Sequence, residues 1–211
     1  MNIVFESFPV GPLQCNCTVI GDTDSGLGYV IDPGGHPERI MQSSERLGLK
    51  ITALIHTHAH LDHILAAGDI SKQTGATIHL HRGDLFLWDA LEQQCQMFGI
   101  PYQPVPTPTS WLEHDEALPH IDGRCIHTPG HTPGSMSFHC GEQNLLIAGD
   151  TLFRGSVGRT DLPGGNTKEL IQSIREQLYT LDEETIVIAG HGDNTTLGDE
   201  IRNNPFVSGA S

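Results

Sequence analysis

The stretch His56-Thr57-His58-Ala59-His60-Leu61-Asp62-His63 packs four histidines and an aspartate into eight residues. Ahead of it, Ile51 to Ile55 is apolar and β-branched enough to be a buried strand. Behind it, Ile64 to Gly75 carries apolar residues at helical spacing. The cluster therefore sits where a strand hands over to a helix, the edge at which open α/β folds bind ligands.

Spacing within the cluster carries the chemistry. His58 and His60 are two apart, so in an extended segment both side chains leave on one side, which suits two neutral imidazoles on a first metal ion. Asp62 and His63 come as the chain turns into the helix and would point toward a second ion. The plainer alternative makes Asp62 a helix cap among partly buried histidines.

Working outward, residues 3–8 and 15–20 read as strands joined by a turn at 9–12, and Tyr29 to Asp32 as a third strand stopped by Pro33-Gly34-Gly35. Pro37 to Leu47 reads as a helix closed by Gly48. A strand is expected at Ala76 to Leu80 and a helix from Gly83 to Phe98. Four prolines between 101 and 108 make residues 100–122 an extended connector that could line a pocket. Arg124 to His127 is a strand, Ser135 to Cys140 and Asn144 to Ala148 form a hairpin, and residues 151–166 form a glycine-rich loop. Thr167 to Thr180 is a helix capped by Thr167, Thr185 to Ala189 a strand, and Leu197 to Asn203 a helix. Four apolar strands thus run into residues of ligand type: His56 and its cluster, His127 with His131, Asp150 and His191. Neighbouring strands would gather these ends on one rim. A duplicated half-domain would explain the pattern, though the sequence repeat is too weak to establish one.

At 211 residues the chain is expected to be one domain, residues 1–211. Its formal net charge of -15 disfavours a nucleic-acid partner. No apolar run approaches membrane-spanning length, and the N-terminus lacks the pattern of a signal peptide. Five scattered cysteines suggest no disulfide framework and fit a reducing cytoplasm, with Cys15 and Cys17 as small core residues.

His58-Ala59-His60-Leu61-Asp62-His63 resembles the His-x-His-x-Asp-His signature of the metallo-β-lactamase superfamily, with His131, Asp150 and His191 following in order. Within that superfamily the chain looks like the short bacterial glyoxalase II-type hydrolases. The phrases that carry this are Pro12-Leu13-Gln14-Cys15-Asn16-Cys17, Asp32-Pro33-Gly34-Gly35, Thr128 to Ser135, Gly158 to Gly165 and Gly190-His191-Gly192. The resemblance spans nearly the whole chain. It implies an α/β fold, an αβ/βα sandwich of two mixed sheets flanked by helices. It also implies two divalent ions, zinc first with iron or manganese as alternatives. One would be held by His58, His60, His131 and Asp150, the other by Asp62, His63, Asp150 and His191. Asp150 would bridge, and Asp62 would assist proton transfer. His56 and His127 lie outside the pattern and are expected to pack or support. His36, His79, His81, His114, His120 and His139 are expected to be ordinary surface or core histidines.

The implied reaction is hydrolysis of a small-molecule thioester, S-lactoylglutathione or a relative, by a metal-bridging hydroxide. Longer members add a C-terminal helical domain that contacts glutathione, whereas here 20 residues follow His191. Arg154 and Arg159 are candidates for a substrate carboxylate or for salt bridges that hold their loop. A lactone hydrolase of the same fold is one alternative. A mononuclear iron persulfide dioxygenase is another, but that family usually reads Gly-His-Asp-Tyr where this chain reads Gly190-His191-Gly192-Asp193. A β-lactamase is disfavoured because the common zinc enzymes lack a bridging aspartate at the position of Asp150.

Overall fold

The computed structural model describes residues 1–207. The described residues divide into two compact units, Met1–Leu112 with Pro119–Ile121, and Glu113–Leu118 with 122–207.

The first unit is a six-stranded mixed sheet in the order β1-β2-β3-β4-β5-β6. Its strands are β1 (Ile3–Val10), β2 (Cys15–Asp22), β3 (Leu27–Ile31), β4 (Lys50–Ile55), β5 (Thr77–Leu80) and β6 (Ser110–Trp111). β1, β2 and β3 form an antiparallel meander, and β4 to β6 add in parallel. β1 runs on through Pro9, which the sequence reading placed in the turn. A proline is tolerated there because β1 is an edge strand and one N–H can go missing. The parallel step from β3 to β4 is made by α1 (Pro37–Leu47), which starts at a proline and ends at Gly48 with φ 69°. Val19, Val30, Leu54 and Ile78 are paired across four strands and lie in one core with Ile40 of α1 and Ile70 of α3 (Ala67–Thr74). On the opposite face Ile20, Tyr29, Ile31, Ala53 and Ile55 are buried too, which explains why β4 reads as a continuous apolar run.

Helical boundaries depart from expectation after the histidine cluster. A short α2 (Leu61–Ile64) begins three residues early, with His60 rather than Asp62 at its N-cap. It breaks before α3 because the Ala66 N–H leaves the helical ladder and donates to the Pro33 carbonyl at 2.8 Å. The helix expected over 83–98 is a 3₁₀ turn followed by α4 (Leu85–Asp89) and α5 (Leu91–Phe98). Pro101 and Gln103 of the connector line a groove with Gly11, Gly34, Gly35 and Leu65.

The second unit has a six-stranded sheet in the order β14-β13-β10-β9-β8-β7. Here β7 is Ala117–Leu118, β8 Gly123–His127, β9 Met136–Cys140, β10 Leu145–Gly149, β13 Ile186–Ala189 and β14 Thr195–Thr196. β7 to β10 are an antiparallel meander, and β13 joins β10 in parallel. The crossover helix α6 (Thr167–Ser173) widens into a π-helical segment, Ile174–Leu178, where Tyr179 N–H bonds Ile174 O at 2.9 Å. Its cap is Asn166, whose side chain accepts from Glu169 N–H, one residue ahead of the expected Thr167. Leu170, Ile174 and Leu178 pack on Leu146, Ala148 and Val187 together with Leu197 of α7 (Leu197–Asn203). The glycine-rich loop contains a small hairpin, β11 (Leu152–Phe153) and β12 (Ser156–Val157), that the sequence reading left irregular.

The strand-end pattern holds for three of its four strands within one sheet. β8, β10 and β13 run the same way in the second sheet, so His131, Asp150 and His191 follow the same edge. β4 belongs to the first sheet.

Candidate metal centre

In the first unit, β4 delivers the chain into a loop, residues 56–60, and then the first turn of α2. His58, His60, Asp62 and His63 are all buried. The His58 ring stands 4.8 Å from that of His60 and 4.0 Å from that of His63.

Asp32 sets how two of these rings are held. It is almost fully buried at the end of β3, with φ 53°. Its Oδ2 accepts from His63 Nδ1 at 2.9 Å, and its Oδ1 accepts from Thr57 N–H at 2.7 Å. The Thr57 hydroxyl donates to Asp32 Oδ2 at 2.6 Å, which leaves its oxygen free to accept from His58 Nδ1 at 3.1 Å. One carboxylate therefore puts the proton on Nδ1 of His63 directly and of His58 through a hydroxyl. That leaves Nε2 as the candidate ligand atom of both rings, the arrangement seen around metal-bound histidines. Cys15 Sγ lies 3.4 Å from the same His63 nitrogen, and burial pushes its thiol up to about 12, so it is a neutral neighbour.

Gly34 explains how Asp62 is placed. A Cβ at Gly34 would lie 1.6 Å from the Asp62 carbonyl oxygen, so the backbone at the aspartate can pass only because that position is glycine.

The second unit repeats the device. His131 follows a turn through Gly130, where a Cβ would meet the Leu170 backbone at 2.2 Å. Its Nδ1 donates to the Arg159 carbonyl at 2.7 Å, which again makes Nε2 the candidate ligand atom. Asp150 follows β10 through Gly149 (φ 51°), and a Cβ at Gly158 would lie 1.9 Å from the Asp150 carbonyl oxygen. His131 Nε2 is 3.7 Å from Asp150 Oδ2, and His191 Nε2 is 3.8 Å from Asp150 Oδ1. In the first unit His63 Nε2 is 3.8 Å from Asp62 Oδ2.

These separations are too long for hydrogen bonds. They are near the roughly 3.4 Å between two donors that share one tetrahedral cation at about 2.05 Å. Asp150 presents one oxygen to each of two imidazoles, as a carboxylate bridging two cations would. The imidazole and carboxylate donors, with Nδ1 hydrogen-bonded within the protein in three of the histidines, fit divalent transition metals. His191 is the most accessible of the second unit's candidates, its side chain 31% exposed.

Other expected candidates fall elsewhere. His56 is buried, donates Nδ1 to His79 O at 3.0 Å and meets Trp88 edge-on; burial pushes its pKa down to about 4, so it is a neutral packing residue. His127 Nε2 donates to Pro133 O at 2.9 Å and its N–H donates to His114 Nδ1. His36 accepts from Gly11 N–H, and His81 caps the 3₁₀ turn. Arg159 forms a two-pronged pair with Asp161 at 2.7 and 2.8 Å, and Arg154 lies 3.4 Å from Asp193. All four of these side chains are exposed.

Asp32, Thr57 and Gly158 carry no role that the sequence alone assigns, and Gly34 only that of ending the third strand. The signal for Asp32 was present: Tyr29 to Ile31 is an apolar strand that runs into an aspartate, as Leu145 to Ala148 runs through Gly149 into Asp150.

Comparison with known proteins agrees with this architecture. Residues 10–191 match the metallo-β-lactamase superfamily. The chain is 41% identical, over the full length of both proteins, to the hydroxyacylglutathione hydrolase GloC of Haemophilus influenzae. It superposes on a structure described as the BLEG-1 B3 metallo-β-lactamase with a TM-score of 0.89 and 35% identity, covering 97% of this chain and 99% of the other. A second structure, TTHA1623 in a di-iron-bound form, gives 0.88 and 37% identity, covering 95% and 99%. Two mixed sheets flanked by helices and the match over residues 10–191 place the chain in the metallo-β-lactamase superfamily, among its metal-dependent hydrolases.

Proposed function

We propose that the chain is a binuclear glyoxalase II-type thioesterase that hydrolyses S-lactoylglutathione or a closely related thioester. The observation that carries the two-metal reading is Asp150, with one carboxylate oxygen facing His131 and the other facing His191 at nearly equal distances. The 41% identity to a hydroxyacylglutathione hydrolase supports the substrate class. That relative is matched along its whole length, which supports glutathione recognition by a chain of this size.

The proposed ligands are His58, His60, His131 and Asp150 for one ion, and Asp62, His63, Asp150 and His191 for the other. When bound, two divalent cations supply Lewis acidity and make hydroxide available near neutral pH. Zinc is the first choice, and the di-iron form of a structural neighbour supports iron as the alternative. The chain's own residues do the rest. Asp32, Thr57 and the Arg159 carbonyl keep His63, His58 and His131 in one tautomer, so no ring reorganises during turnover. In this reading Asp62, in the first turn of α2, would exchange a proton with the leaving group. A thiolate leaves readily, so that demand is small. Arg154 is the better candidate for a substrate carboxylate, because the Arg159 guanidinium is engaged twice by Asp161.

A second reading has one specific support, the 35% identity to a protein described as a B3 metallo-β-lactamase. A β-lactam therefore belongs beside the thioester in the assay. The test is elemental analysis of the purified chain, with thiol release from S-lactoylglutathione followed on the same sample. About two metals per chain with rapid thiol release is the expected result. Ring opening of a β-lactam without thiol release would transfer the assignment to the second reading. One iron per chain with oxygen uptake on glutathione persulfide would overturn both.

A further inference from the structure

The loop that carries His58 and His60 is neither strand nor helix, so its buried backbone groups need partners from elsewhere. Asp32 takes the Thr57 N–H, and two more side chains serve the backbone from Ala59 to Leu61. Asp84 Oδ2 accepts from the Ala59 N–H at 3.0 Å. The Gln94 amide does more: Oε1 accepts from the Leu61 N–H at 3.0 Å, while Nε2 donates to Ala59 O at 3.1 Å and to Leu87 O at 2.8 Å.

These contacts fall on consecutive peptide groups. The Ala59 N–H belongs to the peptide joining His58 to Ala59, and the Ala59 carbonyl to the one joining Ala59 to His60. The Leu61 N–H belongs to the peptide joining His60 to Leu61. Three peptide planes in a row are thus held from outside; they lie on both sides of the His60 Cα and on the C-terminal side of the His58 Cα. Fixing planar units on each side of a residue fixes its φ and ψ, and so the direction of its side chain.

Gln94 lies on α5 and Leu87 on α4, so the same amide ties the loop to that helix pair. Only a primary amide has an acceptor and two donors at one end of a side chain. A carboxylate would keep the bond to Leu61 and turn its charge on two carbonyls.

We propose that Gln94, seconded by Asp84, is a positioning residue for the metal-binding loop, setting where His60 presents its ring nitrogens and restraining the backbone on the C-terminal side of His58. The inference rests on the reading that these two histidines are metal ligands. It is tested on the full-length chain stripped by chelation, with zinc affinity measured by competition against a chromophoric chelator. Unfolding temperature is read with and without zinc. Gln94→Leu and Gln94→Glu should weaken zinc binding about 10- to 100-fold, the range for residues that orient ligands, and shrink the rise in Tm that zinc produces.

Ser71→Ala is the control. The Ser71 hydroxyl donates to Ala76 O at 2.8 Å at the far end of α3, and its loss should lower both Tm values together with affinity unchanged. If Gln94→Leu does not fold, Gln94→Glu carries the measurement, being the same size and keeping one bond. Gln94 variants that behave like the Ser71 control, destabilised yet binding zinc as tightly as wild type, would overturn the proposal. A wild-type chain that takes up no zinc would instead remove the ligand assignment, and this inference with it.

Discussion

Replacing Gly34 with alanine separates a role in metal binding from a role in folding. The φ of Gly34 is not in the left-handed region, so an alanine meets no backbone strain of its own. The entire cost is the collision with the Asp62 backbone. The new Cβ would sit 1.6 Å from the Asp62 carbonyl oxygen and 2.7 Å from its carbon. To reach even 3.0 Å, that oxygen must retreat by about 1.4 Å. Metal–ligand distances hold to within about 0.2 Å, so a shift of this size at Asp62 exceeds the tolerance several-fold. The neighbouring His63 moves with it, since both belong to the same turn of α2. Overpacking a tight contact costs about 1–3 kcal/mol, which for a chain of this length lowers Tm by about 2–12 °C. Gly34→Ala should therefore show a modest loss of stability without metal and a disproportionate loss of zinc, read as zinc atoms per chain. A variant that melts with wild-type protein and retains two zinc ions would refute the reasoning.

Three further substitutions probe separate parts of the site. Asp150→Ala should abolish hydrolysis and leave less than one tightly held metal per chain; full activity with two metals bound would remove the bridging role. Asp32→Ala deprives the His63 ring, the Thr57 N–H and the Thr57 hydroxyl of their acceptor. Metal affinity should fall about 10- to 100-fold, with a stability loss of about 1–3 kcal/mol for each donor left buried and unmet, measured by denaturant titration of the metal-free protein. Arg159→Ala should leave metal content unchanged, because His131 is held by the Arg159 main-chain carbonyl, which alanine retains. Loss of metal in that variant would show that the guanidinium itself orders the loop.

What could be read from sequence is what depends on neighbours along the chain. Pro37 and Gly48 bracket α1 because a proline and a left-handed glycine act within their own turn. The histidine cluster stood out because β4, the loop and α2 are contiguous. Features set by distant partners were hidden. The break between α2 and α3 depends on Pro33 accepting from Ala66. The grip on the loop depends on Asp84 and Gln94, residues that on a sequence look like ordinary surface polar groups. Gly34 and Gly158 resemble turn glycines, and only the approach of an aspartate carbonyl shows why each is needed. Cys15 was read as a core residue, and it is buried, yet its sulfur touches a candidate ligand's ring.

The two units solve one problem in the same way, and the order of their elements shows why. Each begins with an antiparallel meander whose last strand, β3 or β10, runs into an aspartate, Asp32 or Asp150. A crossover helix then returns the chain to a parallel neighbour, β4 or β13, which runs into candidate histidines. Parallel pairing puts both strand ends at one edge, so an aspartate and a histidine segment must meet there whatever the intervening sequence. Each junction is closed by a backbone bond, in opposite directions: Asp32 N–H to Ile55 O at 3.0 Å, and Gly190 N–H to Gly149 O at 2.8 Å. In the first unit the aspartate that closes the meander orients histidines; in the second it faces them as a candidate ligand. The difference follows from exposure: the Asp32 side chain is 1% exposed and saturated with donors, while Asp150 keeps 15% and meets His131 and His191 beyond hydrogen-bond range. One local architecture thus places a carboxylate that orients histidines in the first unit and a carboxylate that is a candidate ligand in the second.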